Sequence, residues 1–349
     1  MSRDPAERFR RLIRTQGPIS VAQFMGESNA LYYAYRDPLG TAGDFITAPE
    51  VSQMFGELLG AWLADIWARA GKPDRVAYVE LGPGRGTLAS DALRVMRGVG
   101  LELEVHLVEG SPELRKLQAK AVPQAQFHDD LASVPDDMPL LVLANEFFDA
   151  LPVRQLVKAQ DGWRERMIGL TGDAFTYVAG DTPMDAAVPD ALSCAETGTI
   201  IETGPAAAAV MRELAGRLAS HGGAALVIDY GYLAPQTGST LQAVKAHRKV
   251  DPLSLPGEAD LTAHVDFHTL AEVAQGAGAK VIGTAEQGEF LESLGLAARA
   301  SALARAAPEN LDDLKAAHRR LAHPEEMGSL FKVLGLAAPD WPDGAGFVA

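Results

Sequence analysis

A glycine-rich turn between an apolar strand and a helix constrains this chain more than any other feature. Residues 76–81 form a short apolar strand, residues 87–98 are helical, and the turn between them contains Gly82, Gly84 and Gly86. Glycines let a ligand approach the backbone closely, and the first turn of the helix offers free N–H groups with a partial positive charge. The turn therefore predicts a ligand site at the carboxyl end of a strand.

The spacing of this turn narrows the choice of ligand. It reads Gly-x-Gly-x-Gly, which departs from the Gly-x-Gly-x-x-Gly pattern of dinucleotide sites. Glu80, two residues before the first glycine, would repel a pyrophosphate and attract the ammonium group of S-adenosylmethionine. We therefore predict a site for this methyl donor. A structural tight turn and a nucleotide site are the alternatives.

Strand and helix patterns alternate from residue 75 onwards. This alternation predicts an α/β fold in which a doubly wound, mostly parallel sheet carries helices on both faces. The predicted strands of this sheet are 76–81, 103–109, 125–128, 140–145, 224–230 and 280–284, with a last strand, 329–334, placed at an edge. Turn signals between short β patterns predict an antiparallel β insertion.

The pattern also predicts how the chain is organised. Residues 1–74 read as a helical N-terminal region, with an irregular loop at 32–48 on the substrate side and one long helix at 49–70. Residues 75–349 form the cofactor-binding domain. Within that domain we predict the β insertion at 155–202 and a helical excursion at 236–322.

Composition excludes several classes of function. The formal net charge of −15 disfavours a nucleic-acid partner, because an acidic surface repels phosphate backbones. Cys194 is the only cysteine, so we expect neither a disulfide nor a cysteine-rich metal site. We expect a reducing, cytoplasmic compartment. No apolar run reaches the ~18 residues of a membrane span. His264 and His268 lack a zinc-site pattern, and we predict no metal. The oligomeric state stays open.

Acidic residues follow two further strands of the predicted sheet. Glu109 ends the second strand, where a carboxylate can accept both hydroxyls of a ribose. Asp129 and Asp130 follow the third strand, and either could accept from an adenine amino group. The alternatives are a solvated strand-end carboxylate for Glu109 and a helix N-cap for one of the aspartates.

The loop after the fourth strand combines an amide, two carboxylates and two aromatic rings. We predict that Glu146 and Asp149 bind a cation and that Phe147 and Phe148 exclude water. Asn145 is predicted to contribute to the cofactor site. The alternative is a set of core aromatics beside surface carboxylates. Asp44, in the irregular loop, is the next candidate for a catalytic carboxylate.

Five segments together resemble the MidA-type family of class I S-adenosylmethionine-dependent protein arginine methyltransferases. These segments are 43–50, 80–87, 145–153, 228–232 and 260–267, and the resemblance spans roughly residues 9–334. Mitochondrial members of that family act in respiratory complex I assembly. The resemblance implies symmetric dimethylation of an arginine on a complex I subunit. It also implies a class I sheet whose last strand, 329–334, is antiparallel.

The resemblance assigns roles to the residues already singled out. Glu80 and the glycines of the turn would hold the methionine end, Glu109 the ribose, and Asp129 or Asp130 the adenine. Four residues are predicted to line the substrate site: Phe45, Phe147, Tyr230 and His264. The rival classes are a small-molecule methyltransferase, an assembly factor that binds the donor without turnover, and a nicotinamide oxidoreductase.

Overall fold

The computed structural model describes residues 4–35, 47–245 and 248–347. The strands are β1 (Ile19–Ser20), β2 (Ala77–Leu81), β3 (Glu104–Val108), β4 (Gln126–His128), β5 (Leu140–Asn145), β6 (Arg154–Ala159), β7 (Gly162–Thr171), β8 (Ala174–Pro183), β9 (Ile200–Thr203), β10 (Gly223–Tyr232), β11 (Gln242–Lys245), β12 (Arg248–Val250), β13 (Asp260–Thr262), β14 (Val265–Asp266), β15 (Lys280–Glu286) and β16 (Phe331–Ala337). The helices are α1 (Pro5–Gln16), α2 (Val21–Tyr35), α3 (Ala48–Val51), α4 (Gln53–Arg69), α5 (Thr87–Gly98), α6 (Pro112–Ala121), α7 (Pro205–His221), α8 (Phe267–Gly276), α9 (Gln287–Ser293), α10 (Leu296–Ala306) and α11 (Leu311–Ala322).

The central sheet has the strand order β15-β16-β10-β5-β2-β3-β4, and β14 also pairs with β10. Strands β10, β5, β2, β3 and β4 are parallel to one another, which confirms the doubly wound α/β fold. Strand β16 is antiparallel to both of its neighbours, as the family resemblance implied. The predicted edge position of this strand was wrong, because β16 lies between β10 and β15. Both faces of β16 are apolar and largely buried, which suits an interior strand.

Helices cover both faces of the central sheet. Successive residues of a strand point to opposite faces, so Tyr78 joins one apolar cluster while Ala77 and Val79 join the other. The first cluster packs against α4, α5 and the helices α9–α11, and the second packs against α7 and α8. The carboxyl ends of β2, β3, β4 and β5 meet at one edge between these layers, and the candidate site lies there.

The N-terminal region departs from the predicted boundaries. Helix α2 continues to Tyr35, so the first four residues of the predicted 32–48 loop are helical. The predicted helix 49–70 is divided into α3 and α4, because Ser52 is extended (φ −164°) and its hydroxyl accepts from Met54 N at 3.2 Å to begin α4. A side-chain cap of this kind satisfies a backbone N–H that the helix leaves unpaired.

The N-terminal helices and the β insertion share a sheet and a core. Strand β1 pairs antiparallel with β7 of the insertion, in the order β1-β7-β6-β9, and β8 pairs with the other edge of β7. Phe9, Phe24 and Ile168 belong to one buried cluster. Strands β11, β12 and β13 form a separate small sheet. No helix in the described part of the chain is long and apolar enough to cross a membrane.

Candidate functional site

A cavity of about 400 Å³ lies at the carboxyl ends of β2, β3, β4 and β5. The predicted residues on its wall are Glu80, Gly82, Gly84, Glu109, Asp129, Asp130, Asn145, Glu146 and Phe147. Gly86 does not line the cavity but begins helix α5 with φ +82°. Asp149, Tyr230 and His264 lie outside this wall as well, and Asp44 and Phe45 fall outside the described residues.

The glycine turn has the backbone that its sequence predicts. Gly82 has φ +65°, and a Cβ atom there would lie 3.0 Å from Phe147 Cδ2. A side chain at this position would therefore be strained and would crowd the aromatic ring on the cavity wall. The first turn of α5 follows Gly86, so its unpaired N–H groups are available to an anionic group at this end of the cavity.

Glu80 is buried at the end of β2, and the hydroxyl of Tyr78 donates to its carboxylate. Burial raises the pKa of Glu80 to about 8, although the hydrogen bond from Tyr78 acts in the opposite direction. Tyr78 supplies a hydrogen bond without a positive charge. A cation that entered the cavity would favour the ionised carboxylate.

Glu109 is connected to the glycine turn through Gln118, which the sequence analysis missed. The Gln118 amide nitrogen donates to Gly84 O at 2.7 Å and to Glu109 Oε2 at 3.1 Å, and Ser111 N donates to Glu109 Oε1 at 2.8 Å. Burial raises the pKa of Glu109 above its ordinary value. Gln118 is fully buried on α6, four residues after the buried Leu114. That spacing on the apolar helix face was the available signal.

Asp129 and Asp130 sit at the open rim of the cavity with different partners. Asp129 is exposed and pairs with Arg115 at 2.6 Å. The carboxylate of Asp130 accepts from Ser133 N at 2.9 Å and so caps the short 3₁₀ turn that follows. The predicted N-cap therefore falls on Asp130, while both aspartates line the cavity.

Asn145 and Glu146 leave β5 at the inner end of the cavity. Asn145 is buried, its Nδ2 donates to Glu146 Oε1 at 3.1 Å, and its Oδ1 has no hydrogen-bond partner in the described part of the chain. Glu146 has φ +51°, a left-handed conformation that is rare and costly for a non-glycine residue. Burial, together with the Asp149 charge, raises the pKa of Glu146 to about 8. An unpaired buried acceptor beside a strained carboxylate suits a cationic ligand.

Asp149 lies behind this wall, in a buried network that the sequence analysis did not foresee. Asp229 Oδ2 accepts from Phe148 N and Asp149 N at 3.0 and 3.1 Å, and its Oδ1 accepts from Tyr230 N at 3.0 Å. Asp229 therefore holds the loop after β5 in place. Burial raises the pKa of Asp149 to about 6, and the hydroxyl of Tyr230 hydrogen-bonds to the Asp149 carboxylate.

His264 belongs to a smaller cavity of about 90 Å³ on the other side of the same loop. Its ring centroid is 6.1 Å from that of Tyr230, which in turn lies 5.0 Å from that of Phe331. Burial lowers the pKa of His264. Within the described ranges, no three His, Cys, Asp or Glu side chains are grouped as a metal site.

Tyr33, on α2, is a second residue that the sequence analysis missed. It lines the main cavity, and its hydroxyl donates to Asp260 Oδ1 at 2.9 Å. Burial, with the charges of Asp260 and Asp149, raises the pKa of Tyr33 well above its ordinary value. No sequence signal could identify Tyr33, because its place depends on how α2 packs on the sheet.

The doubly wound sheet with its antiparallel strand β16, the glycine turn and the acidic strand ends are the features that the resemblance to class I methyltransferases implied. Residues 58–285 match the model of a family described as "Putative S-adenosyl-L-methionine-dependent methyltransferase". Since this match covers more than half of the chain, the protein belongs to that family of S-adenosylmethionine-dependent methyltransferases.

Individual relatives extend this likeness over nearly the whole chain. The protein arginine methyltransferase NDUFAF7 of Xenopus laevis mitochondria is 36% identical, covering 92% of this chain and 81% of the relative. The Homo sapiens protein of the same name is 37% identical, and the match covers 93% of this chain and 81% of that relative. A Burkholderia thailandensis protein crystallised with S-adenosylhomocysteine superimposes with a TM-score of 0.84 at 29% identity, over 96% of this chain and 93% of that one. The cofactor of this chain is accordingly S-adenosylmethionine.

Proposed function

We propose that this protein is an arginine methyltransferase whose main cavity holds S-adenosylmethionine beside Glu146. The observation that carries the proposal is Glu146 itself, a half-buried carboxylate in a strained backbone conformation on the wall of the main cavity. The names of the relatives from Xenopus laevis and Homo sapiens support the same substrate class. A carboxylate on the cavity wall that a substrate guanidinium can pair with is the feature such an enzyme needs.

The polar groups of the cavity fit the parts of the cofactor. Glu80 and the unpaired Asn145 Oδ1 are suited to its ammonium group, and the N–H groups after the glycine turn are suited to its carboxylate. Glu109 is suited to the ribose hydroxyls, and Gln118 holds that carboxylate against the turn. The rim aspartates, Asp129 and Asp130, would face the adenine. We propose these roles for the residues named.

Glu146 would act on the substrate in two ways. S-adenosylmethionine supplies a methyl group on a positively charged sulfur. An arginine arrives charged, because its pKa exceeds about 12, and the Glu146 carboxylate would hold its guanidinium in line with the sulfur–carbon bond. Alignment of this kind can lower a barrier by roughly 7–11 kcal/mol.

The same carboxylate would receive the proton that the substrate loses. As the nitrogen–carbon bond forms and the sulfur–carbon bond breaks, the methylated nitrogen releases one proton. The bound guanidinium would favour the ionised form of Glu146, and the raised pKa of this carboxyl group in the empty site, about 8, makes it a better proton acceptor than an ordinary carboxylate. Asp149, bonded to Tyr230 behind Glu146, would keep the surroundings acidic and favour a cation at the cavity wall. Asp44 remains a candidate for the same two roles, binding the guanidinium and accepting the proton.

We extend the proposal to the product, target and compartment that the family resemblance implied. The product would be symmetric dimethylarginine, and the target would be an arginine on a subunit of respiratory complex I. The relatives are named as mitochondrial proteins. For this chain we propose the cytoplasm, since its one cysteine, Cys194, is exposed and free and suits a reducing compartment.

The test replaces Glu146 with glutamine, which keeps the size and removes the charge. We expect methyl transfer to complex I subunits, or to a single-arginine peptide, to fall by about 10²–10⁴-fold. The dissociation constant for S-adenosylhomocysteine, measured by calorimetry, should stay within about threefold, because Glu146 is proposed to act on the substrate. Glu113→Gln, at an exposed carboxylate on α6, is the matched control. Full turnover by Glu146→Gln would overturn the assignment.

A further inference from the structure

Three buried carboxylates around the site are hydrogen-bonded to tyrosines. Tyr78 pairs with Glu80, Tyr230 with Asp149, and Tyr33 with Asp260. A tyrosine hydroxyl satisfies a carboxylate without neutralising it. In each pair the tyrosine hydroxyl is therefore held against a carboxylate, and of these three tyrosines Tyr33 is the one on the wall of the main cavity.

The bond to Asp260 fixes what Tyr33 can offer to a ligand. A tyrosine hydroxyl has one hydrogen to donate and lone pairs with which to accept. The hydrogen of Tyr33 points to Asp260 Oδ1, so its oxygen can bond a ligand only as an acceptor. Such an acceptor bonds a donor that carries positive charge more strongly than a neutral donor.

Helix α2 holds this acceptor at a fixed place. Asn29, one turn before Tyr33, donates to Ala150 O and Leu261 O at 3.1 and 2.8 Å and accepts from Leu261 N at 3.1 Å. Ser111 Oγ donates to Tyr33 O at 3.1 Å. These bonds tie α2 to the loop after β5, to β13 and to the ribose side of the cavity. Tyr33 and Glu146 therefore reach the same cavity from independent, anchored elements.

We propose that Tyr33 accepts an N–H of the substrate guanidinium opposite Glu146, that Asp260 positions Tyr33 for this, and that the pair makes the site select arginine over lysine. The inference rests on the proposed arginine activity. A guanidinium is a planar fork with five N–H donors, so it can span two acceptors held on different elements. An ammonium group is compact, and it would reach one acceptor while leaving the other without a partner.

The experiment compares two peptides of five residues, acetylated and amidated, with either arginine or lysine between pairs of glycines. Binding is measured by calorimetry to the full chain saturated with S-adenosylhomocysteine. The first variant is Tyr33→Phe, which removes only the hydroxyl. The second is Asp260→Asn, which weakens the hydrogen bond that orients the Tyr33 hydroxyl. Ser28→Ala is the matched control, because the Ser28 hydroxyl is buried on the same helix and has no hydrogen-bond partner in the described part of the chain.

The readout is the ratio of the lysine to the arginine dissociation constant. We expect the parent protein and Ser28→Ala to favour arginine, and Tyr33→Phe to reduce the ratio about tenfold or more through weaker arginine binding alone. Asp260→Asn should shift the ratio in the same direction by less. A purely structural effect would weaken both peptides equally, and that result, or an unchanged ratio, would overturn the inference. If the parent does not prefer arginine, the proposed function itself fails.

Discussion

At the scale of single residues, Glu146 combines two costs in one place. Its φ of +51° lies in the left-handed region, and burial raises its carboxyl pKa to about 8. A strained non-glycine backbone of this kind costs about 1–3 kcal/mol. Its hydrogen bonds from Asn145 Nδ2 and Ala48 N, at 3.1 and 3.4 Å, recover part of that cost. The destabilisation that these bonds do not offset accompanies the placement of a carboxylate at the cavity wall.

A Glu146→Gly variant should therefore be more stable and inactive. We expect the free energy of unfolding to rise by about 1 kcal/mol, because glycine adopts positive φ without strain, and methyl transfer to disappear. Urea denaturation and a transfer assay measure the two effects. Lys72, with φ +56° after α4, provides the control, since Lys72→Gly should relieve backbone strain while activity is kept. A less stable Glu146→Gly protein would contradict the strain argument.

We propose that Glu80 makes cofactor binding a proton-releasing step. Its pKa of about 8 means that Glu80 is mostly protonated in the empty site at pH 7. The ammonium group of the donor favours the ionised form, so the proton must leave on binding. Calorimetry at pH 7 in two buffers of different ionisation enthalpy should detect this release, and Glu80→Gln should lower it by up to about one proton. Equal proton counts in both proteins would show that Glu80 stays protonated.

Residues at strand ends could be predicted from the sequence, whereas residues brought in by packing could not. Glu80, Glu109 and Asn145 follow apolar strands, so their place at the sheet edge follows from the pattern alone. Tyr33 reaches the cavity through the packing of α2, which Asn29 bonds to β13. Asp229 ends a predicted strand too, but its three bonds to backbone N–H groups depend on the path of the next loop.

At the scale of elements, two glycines decide how closely α4 and α5 approach. A Cβ atom on Gly56 would lie 2.7 Å from Asp91 Cβ, and one on Gly60 would lie 2.6 Å from Ala92 Cα. The two glycines are one helical turn apart, so α4 presents a flat stripe to α5. The glycine turn begins α5, and this contact therefore also fixes the helix behind the cofactor site.

Adding one methyl group to this stripe should separate the helices. We expect Gly60→Ala to lower the free energy of unfolding by about 1–3 kcal/mol through overpacking. Gly216→Ala is the matched change, because a Cβ atom added to Gly216, in α7, would meet no other atom within 4 Å. That variant should gain about 0.5–1 kcal/mol from helix propensity. Chemical denaturation compares the two, and a Gly60→Ala protein as stable as Gly216→Ala would contradict the packing argument.

The sequence predicted whether a segment is a helix or a strand where its apolar pattern was long. It did not predict where that element lies relative to the others. The strand 140–145 was predicted with the bounds that β5 has, because five consecutive apolar residues between Pro139 and Asn145 leave little choice. The placement of β16 at an edge failed because burial on both faces is decided by α8 and α9, which cover it from another part of the chain. The break at Ser52 was missed since the apolar period continues across it.

At the scale of the whole molecule, Glu57 joins three helices. It is buried on α4, and its carboxylate bonds Arg94 of α5 at 2.7 Å and Arg299 of α10 at 2.7 Å. Burial raises the pKa of Glu57, but the hydrogen bonds and charges of Arg299 and Arg94 outweigh burial and leave that pKa below its ordinary value. The C-terminal helices are thereby tied to the layer that supports the cofactor turn.

Because the folded pKa of Glu57 is lowered, its contribution to stability is complete above the unfolded value of about 4.3 and is lost as pH falls through the folded value. We expect Glu57→Gln to cost about 1–3 kcal/mol at pH 7, less than a fully buried pair, since both arginines keep contact with solvent. The difference from the parent in urea denaturation should shrink as pH falls below about 4. A difference independent of pH would contradict the ion-pair origin.

The interior position of β16 sets an order of events during synthesis. Strand β10 carries Asp229 and Tyr230, yet β16, which pairs with it over seven residues, is made about a hundred residues later. Until that segment leaves the ribosome, one side of β10 presents unpaired backbone groups to other strands. The nascent chain is therefore exposed to mispairing in this interval, and a chaperone that covers β10 would protect the acidic site before it can close.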